Sequence, residues 1–382
     1  MRIALVGPVY PYRGGIAHYT AVLAQTLRSM GHTVLVVSFK RQYPKWLFPG
    51  ASDRDPSQKA LRVEQVEYLL DSFCPLSWIK TALRIRDFQP HLTVISWWTI
   101  FWAVPWFVMR TVLRRVLSTP LVFVCHNVMP HEARIWDRWL TRCALSNATE
   151  YIVQSPQERT KLLDMFPGAD AFVVAHPIYD MFNDDVISQM DARRLLGLPL
   201  DGKVLLFFGI VREYKGLMDL LEAMPEVIRH VGNTKLVIAG EFWEPKDRYL
   251  SRIRTLGISD AVVVFDHYIP NEDLSHYFAA ADVVIAPYRH ATGSGVVQMA
   301  IGFGTPLLTT LDWVFDGVEI PACYRLVPPN NSAEIAASVR DLLSRPEVRC
   351  DPEEISRLRQ AFSWERLGRT LETIESRGEH QA

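Results

Sequence analysis

The sequence predicts an α/β protein built as two Rossmann-like, doubly wound parallel-sheet domains. Three observations carry this prediction. Short apolar, β-branched runs alternate with amphipathic helical patterns along most of the 382 residues. The alternation breaks once, in the turn-rich stretch AHPIYDMFNDD at Ala175–Asp185, and then starts afresh. Glycine-bearing loops follow strands in both halves, at the strand ends where open α/β sheets collect ligands.

The first strand, RIALVG, leads into the helical pattern IAHYTAVLAQTLRSM, with Ile16, Tyr19, Val22, Leu23 and Leu27 on one face, and then into the strand TVLVVSF. That is a βαβ unit. Strands at Leu92–Trp97, Leu121–Cys125, Glu150–Val153 and Ala171–Val174 continue it, separated by helices such as Ala133–Leu145, so a parallel sheet covered on both faces is expected. After the break come VLLFFG, KLVIAG, AVVVFDHYI, VVIAPY, TPLLTT and YRLV, again alternating with helices. The expected domains are residues 1–183 and 184–363, and the last helix, within 364–382, either continues the second domain or crosses back to the first. A chain of this length exceeds one ordinary core. A ligand shared by two such domains is expected in a cleft between them.

Composition narrows the function classes. Hydrophobic residues make up 49% and charged residues 22%, the balance of a globular protein. A net charge of -1 gives no global attraction to nucleic acid, so any ionic partner must meet a local patch. Cys74, Cys125, Cys143, Cys323 and Cys350 show no metal-ligand spacing, which predicts reduced thiols in a cytoplasmic chain without a zinc site or a disulfide framework. RIALVG is too short for a secretion signal. The eighteen uncharged residues Leu92–Met109 reach the lower limit of a membrane span but divide into a buried strand and a helix from near Ala103, with Pro105 in its first turn. Trp97, Trp98, Phe101, Trp102, Trp106 and Phe107 precede Arg110, Arg114 and Arg115. Two readings stay open: a helix seated peripherally on the anionic inner leaflet, and a buried helix with a solvated basic edge.

Three loops carry candidate chemistry. In HATGSGVVQMAIGFGTP, Gly293, Ser294 and Gly295 precede a helix, which makes either an ordinary N-cap turn or an anion site on exposed backbone amides. In FFGIVREYKGL, Arg212 and Lys215 stand after a strand that ends at Gly209, beside a helix start where cations are unfavourable unless an anion compensates. In PVYPYRGGIAHYT, Gly14 and Gly15 precede the first helix in the same manner.

GGIAHYT, FFGIVREYKGL, LVIAGE and the strand–loop–helix ending in GFGTPLL together resemble the GT-B glycosyltransferases, specifically the retaining glycosyltransferase family 4 group. The resemblance covers nearly the whole chain and is strongest over Val204–Thr310. It implies transfer of a hexose from a nucleoside diphosphate sugar, GDP- or UDP-linked, with retention of configuration. The nucleotide sugar would be a co-substrate, with no cofactor and no essential metal, and the acceptor a glycan or lipid-linked glycan of cell-surface polysaccharide or glycolipid synthesis. On this resemblance His126, in VCHNVMPHE, matches the family's active-site histidine, while Arg212 and Lys215 stabilise the departing diphosphate. The donor side would comprise Gly14, Gly15, Gly209, Glu241, His290, Gly293, Ser294, Gly295, Val296 and Gln298. The acceptor side would include His18, Tyr19, Trp97, Trp98, His131 and Glu132.

One departure stands out. The family's paired glutamates fall at His290 and Gln298. Gln298 keeps the capacity to hydrogen-bond ribose hydroxyls, and His290 can bind hydroxyls or, when protonated, phosphate. The substitution admits two alternatives: an impaired homologue that binds nucleotide sugar or scaffolds a membrane biosynthetic complex, and a GT-B nucleotide-sugar epimerase.

Overall fold

The computed structural model describes residues 1–44, 46–130, 136–183, 187–290, 293–311, 317–344 and 350–379. Two compact units emerge: Met1–Pro56 with Ala60–Ala175 and the chain from Ser363 on, and His176–Phe362 with Ser57–Lys59.

The first unit holds a seven-stranded sheet of β1 (Arg2–Val6), β2 (Thr33–Arg41), β3 (Val66–Asp71), β4 (Leu92–Trp97), β5 (Leu121–Cys125), β6 (Glu150–Val153) and β7 (Ala171–Val173). Its order is β3-β2-β1-β4-β5-β6-β7, and every pairing is parallel. β4 and β5 are buried along their whole length, as strands covered on both faces must be. The edge strand β3, VEYLLD, carries Glu67 and a solvent-exposed Tyr68, so its polar alternation does not announce it in sequence. Helix Trp364–Glu379 packs on helix Gly15–Ser29 in this unit, with Leu367, Leu371 and Ile374 fully buried.

The second unit is built on β8 (Lys203–Phe208), β9 (Thr234–Ala239), β10 (Val262–Phe265), β11 (Val283–Ala286), β12 (Leu307–Thr309) and β13 (Tyr324–Leu326), in the parallel order β10-β9-β8-β11-β12-β13. The order reverses between β1 and β4 in one sheet and between β8 and β11 in the other. Loops leaving those strands diverge there, which opens a crevice at the carboxyl edge of each sheet.

Two sequence expectations change. Trp97, Trp102 and Trp106 are interior, with Trp102 and Trp106 stacked at 5.1 Å, and Arg110 is only 4% exposed. The Arg110 guanidinium donates to the Ser146 and Cys143 carbonyls at the end of helix Asp137–Leu145, a position that favours a cation. The side of helix Ala103–Val116 that bears Trp106 and Arg110 therefore faces the core and not a lipid surface. No described helix is long and apolar enough to cross a membrane. Cys323 and Cys350, expected as free thiols, form a disulfide with a Cα–Cα distance of 5.2 Å across 27 residues. A spacing search cannot see this pair, because the fold brings the start of β13 to the start of helix Pro352–Ala361.

Peptide mapping without reductant should recover Cys323 and Cys350 linked, and their joint replacement by Ser should cost about 2–4 kcal/mol of unfolding free energy. Two freely alkylated thiols with unchanged stability would contradict the pairing.

Candidate functional site

In the second unit, three close backbone approaches set the site. A Cβ on Gly240 would lie 2.1 Å from the Gly209 carbonyl oxygen, and Gly240 has φ +146°, so only glycine lets β8 and β9 end this close together. The Val211 amide donates to the Glu241 carbonyl at 2.9 Å and the Trp243 amide to the Val211 carbonyl at 3.2 Å, stitching the two loops. Glu213–Lys215 then make a single 3₁₀ turn closed by Gly216 at φ +72°, where a Cβ would lie 1.9 Å from the Pro287 carbonyl oxygen. Folded back in this way, the Lys215 ammonium comes within 3.1 Å of a Cβ placed on Gly209, and Val296 Cγ2 within 3.3 Å of the same point.

Lys215 lies 5.5 Å from the centroid of the Tyr288 ring and forms no ion pair among the described residues. Burial, assisted by the neighbouring Arg212, lowers its pKa to about 8. Arg289, by contrast, is neutralised by Asp219 at 2.9 Å and Glu213 at 3.3 Å. Helix Gly295–Phe303 begins beside Lys215. Ser294 caps it by accepting from the Val297 amide at 3.2 Å and donates to the Tyr288 hydroxyl at 3.1 Å. The Gly295 and Val296 amides therefore have no acceptor within the helix. A cation and a helix N-terminus converge on the bare backbone of Gly209, an arrangement that suits an anion.

Gln298, one turn further, is 1% exposed, and its Oε1 has no hydrogen-bond partner among the described residues. An interior amide oxygen left unpaired is unfavourable by about 1–3 kcal/mol, so a polar group is called for there. His290 is exposed, with its ring 6.1 Å from that of Tyr214, which also carries the Arg212 guanidinium at 5.9 Å. Glu241 accepts from the Trp243 indole at 2.9 Å. Gly293 adjoins the cap.

The first unit gathers a second group at the carboxyl edge of its own sheet, on the loops after β1 and β5. Gly14, at φ +100°, precedes helix Gly15–Ser29, and nothing lies within 4 Å of a Cβ on Gly14 or Gly15. That open space is anchored from behind: the Arg13 amide donates to the Asp53 carbonyl at 3.1 Å, the Asp55 amide to the Pro11 carbonyl at 2.9 Å, and Asp55 Oδ2 lies 3.7 Å from His18 Nε2. His126 leaves β5 with its amide on the Trp97 carbonyl at 2.9 Å, its ring edge-on to Tyr19 at 4.6 Å, and Nδ1 3.1 Å from the Gln154 side-chain nitrogen. The loop is pinned further by Glu158, whose carboxylate accepts from the Val128 amide, and by the Trp97 indole on the Val128 carbonyl at 3.3 Å. Tyr19 also meets Trp364 at 4.9 Å.

The structure thus groups Gly209, Lys215, Ser294, Gly295 and Val296 in one unit, and His18 with Gly14 and Gly15, and Tyr19 with His126, in the other. Trp97 is interior and Trp98 half-buried, its indole donating to the Tyr43 hydroxyl at 2.9 Å. His131 and Glu132 lie outside the described residues. Gln154 and Asp55 are additional polar groups at these loops. Gln154 follows a strand directly, which the rule for strand ends can flag, whereas Asp55 reaches His18 only through the tertiary fold.

Comparison with known proteins agrees with this architecture. Residues 14–177 match the glycosyl transferase 4-like domain and residues 202–345 the glycosyl transferases group 1 domain. A D-inositol 3-phosphate glycosyltransferase of Frankia alni is 29% identical over 54% of this chain and 53% of its own, so the chain spans about half the length of that relative. Sucrose-phosphate synthase from Thermosynechococcus elongatus shares the fold with a TM-score of 0.72 at 18% identity, over 100% of both chains. Anabaena HepE, solved with UDP, does so with a TM-score of 0.69 at 17% identity, over 100% of this chain and 99% of its own. With a matching domain on each of two parallel-sheet units, the chain belongs to the group 1, family 4 glycosyltransferases of the two-domain GT-B fold.

Proposed function

We propose that the chain transfers a hexose from a UDP- or GDP-sugar to a glycan or lipid-linked glycan acceptor, with retention of configuration and without a resident metal. The observation that carries this is Lys215, a cation with no ion pair among the described residues, beside the free N-terminal amides of helix Gly295–Phe303. Such a group stabilises negative charge as a diphosphate departs, the electrostatic contribution that usually dominates catalysis of this kind. Anabaena HepE, also solved with UDP-glucose, supports a nucleotide-sugar donor. In this reading Arg212 shares the diphosphate, Gln298 takes a ribose hydroxyl and His126 orients the donor sugar. The acceptor hydroxyl attacks the anomeric carbon on the face the diphosphate leaves, and a donor phosphate oxygen takes its proton.

His290 and Gln298, at the positions where the family resemblance implies paired glutamates, favour one second reading: a homologue that binds the nucleotide sugar without transferring it. A melting-temperature panel of nucleoside diphosphates and their sugars, followed by transfer assays on lipid extracts, separates the two. A shift with one base and labelled product supports transfer; a shift without product supports the binder; no shift with any nucleotide refutes both.

Replacing Arg212 or Lys215 by Ala should lower turnover about 100-fold while the ligand-free melting temperature stays within a few degrees. The nucleotide-induced shift should shrink as pH rises through about 8, because deprotonation of Lys215 removes the charge that the ligand requires. With Lys215→Arg the shift should be flat over that range, and a wild-type shift equally flat would exclude Lys215 from the site. Gln298→Leu removes the unpaired interior oxygen, so unfolding free energy should hold or rise while donor affinity falls about tenfold or more. Unchanged donor affinity would take Gln298 out of the site.

A further inference from the structure

A histidine ring turns about a broad, roughly two-fold torsion, so the backbone of His126 does not by itself fix where its nitrogens point. Its neighbours must do so. The parallel strands β5 and β6 pair Cys125 with Val153, and the next residues, His126 and Gln154, therefore leave the sheet side by side. Both are interior, and the Gln154 side-chain nitrogen stands 3.1 Å from His126 Nδ1. The residues that follow hold the two strand ends together. Ser155 caps helix Pro156–Met165 by accepting from the Glu158 amide at 3.2 Å, and Glu158 in turn accepts from the Val128 amide.

A second support comes from the far end of the chain. Tyr19, in the first helix, meets the His126 ring at 4.6 Å and 88°, and Trp364 meets Tyr19 at 4.9 Å and 66°. Trp364 opens helix Trp364–Glu379, the one that packs back on the first unit. Gly368, one turn on, faces Leu27 and Met30, and Glu372, a turn further, lies 3.0 Å from His32 Nε2. The last helix is thus seated along the first helix and the turn after it, and this seating brings Trp364 to Tyr19. Burial raises the Tyr19 phenol and the Gln154 side chain beside it opposes that rise, which places the two supports of the imidazole next to each other. A hydrogen-bonding amide and a perpendicular ring together remove the freedom that the torsion leaves.

We infer that Gln154 and Trp364 are positioning residues for His126, the first through its amide and the second through Tyr19. The returning C-terminal helix is then part of the first unit's site and not only a strut. The inference rests on the reading of His126 given above, in which it orients the donor sugar.

The test uses the full chain with isotope-labelled histidine, whose proton–nitrogen NMR spectrum reads both ring nitrogens. Signals of His126 are assigned by their loss in His126→Asn. Gln154→Met, which keeps length and volume but not the amide, should displace the Nδ1 resonance. Trp364→Leu should displace the ring-proton resonances, and Trp364→Phe, which keeps an aromatic edge, should return them toward wild type. Turnover is read as release of UDP or GDP from UDP-glucose or GDP-mannose with lipid extract present. Gln154→Met and Trp364→Leu should lower kcat about 10- to 100-fold with little change in donor KM, and Trp364→Phe should recover most of the loss. A melting temperature within a few degrees of wild type verifies that each variant is folded. Unmoved His126 resonances in Gln154→Met and Trp364→Leu overturn the inference, and so do moved resonances with unchanged kcat. Wild-type turnover in His126→Asn refutes the donor-sugar role of His126 and takes the inference with it. If neither sugar nucleotide is turned over, the donor reading fails separately and the resonances alone decide whether these residues hold the ring.

Discussion

The second unit depends on holding a lysine in a place where burial works against its charge. Desolvation lowers the Lys215 pKa to about 8, so the folded protein keeps this ammonium at a cost. What keeps it there is the close packing of backbone against backbone. Gly240 lets the ends of β8 and β9 meet, and Gly216 lets the following turn press against the Pro287 carbonyl. A side chain at either glycine would meet a backbone carbonyl oxygen, at 1.9 Å for Gly216 and 2.1 Å for Gly240, so this packing admits glycine alone. The site's electrostatics are therefore set by places where side chains are missing.

The first unit solves a related problem with side chains instead. His126 stands at the end of a fully buried strand, and its ring would be free to rotate were it not held on two sides. Gln154 holds Nδ1 on one side, and Tyr19 packs edge-on against the ring on the other. The backbone just beyond is clamped by Glu158 and Trp97, both interior, through opposite ends of the Val128 residue. Both solutions stand at the carboxyl edge of a sheet whose strand order reverses. There, adjacent loops leave in opposite directions and their backbone polar groups are not consumed by the ladder.

This origin explains what could be read from the sequence. Strands such as Leu121–Cys125 and Val283–Ala286, apolar throughout and bounded by turn residues, declare both their type and their parallel setting. The glycine loops declare themselves because their backbone demands are local. Three features are hidden for one shared reason, since each depends on a partner far along the chain. Asp55 reaches His18 across 37 positions, Cys350 reaches Cys323 across 27, and Arg110 caps a helix that ends some 36 residues later. The aromatic run from Trp97 to Phe107 is ambiguous for a different reason. Spacing tells which residues share a helix face, and only packing tells whether that face meets the core, as Trp106 does, or solvent, as Phe107 does.

The glutamine at 298 then acquires a physical meaning. A carboxylate in its place would be interior, close to the start of a helix and to the region where Lys215 and the Gly295 and Val296 amides converge. It would pair with positive potential that a diphosphate is otherwise left to satisfy, and it would repel the diphosphate itself. A neutral amide of nearly the same shape keeps an acceptor oxygen and two donor hydrogens but adds no charge. The change leaves hydrogen bonding to hydroxyls within reach and makes the surroundings of the anion more positive. On the proposed reading, an amide in place of the glutamate that the family resemblance implies is therefore compatible with tight donor binding. On the donor reading proposed above, the residue whose charge state would govern that binding is Lys215, and not position 298.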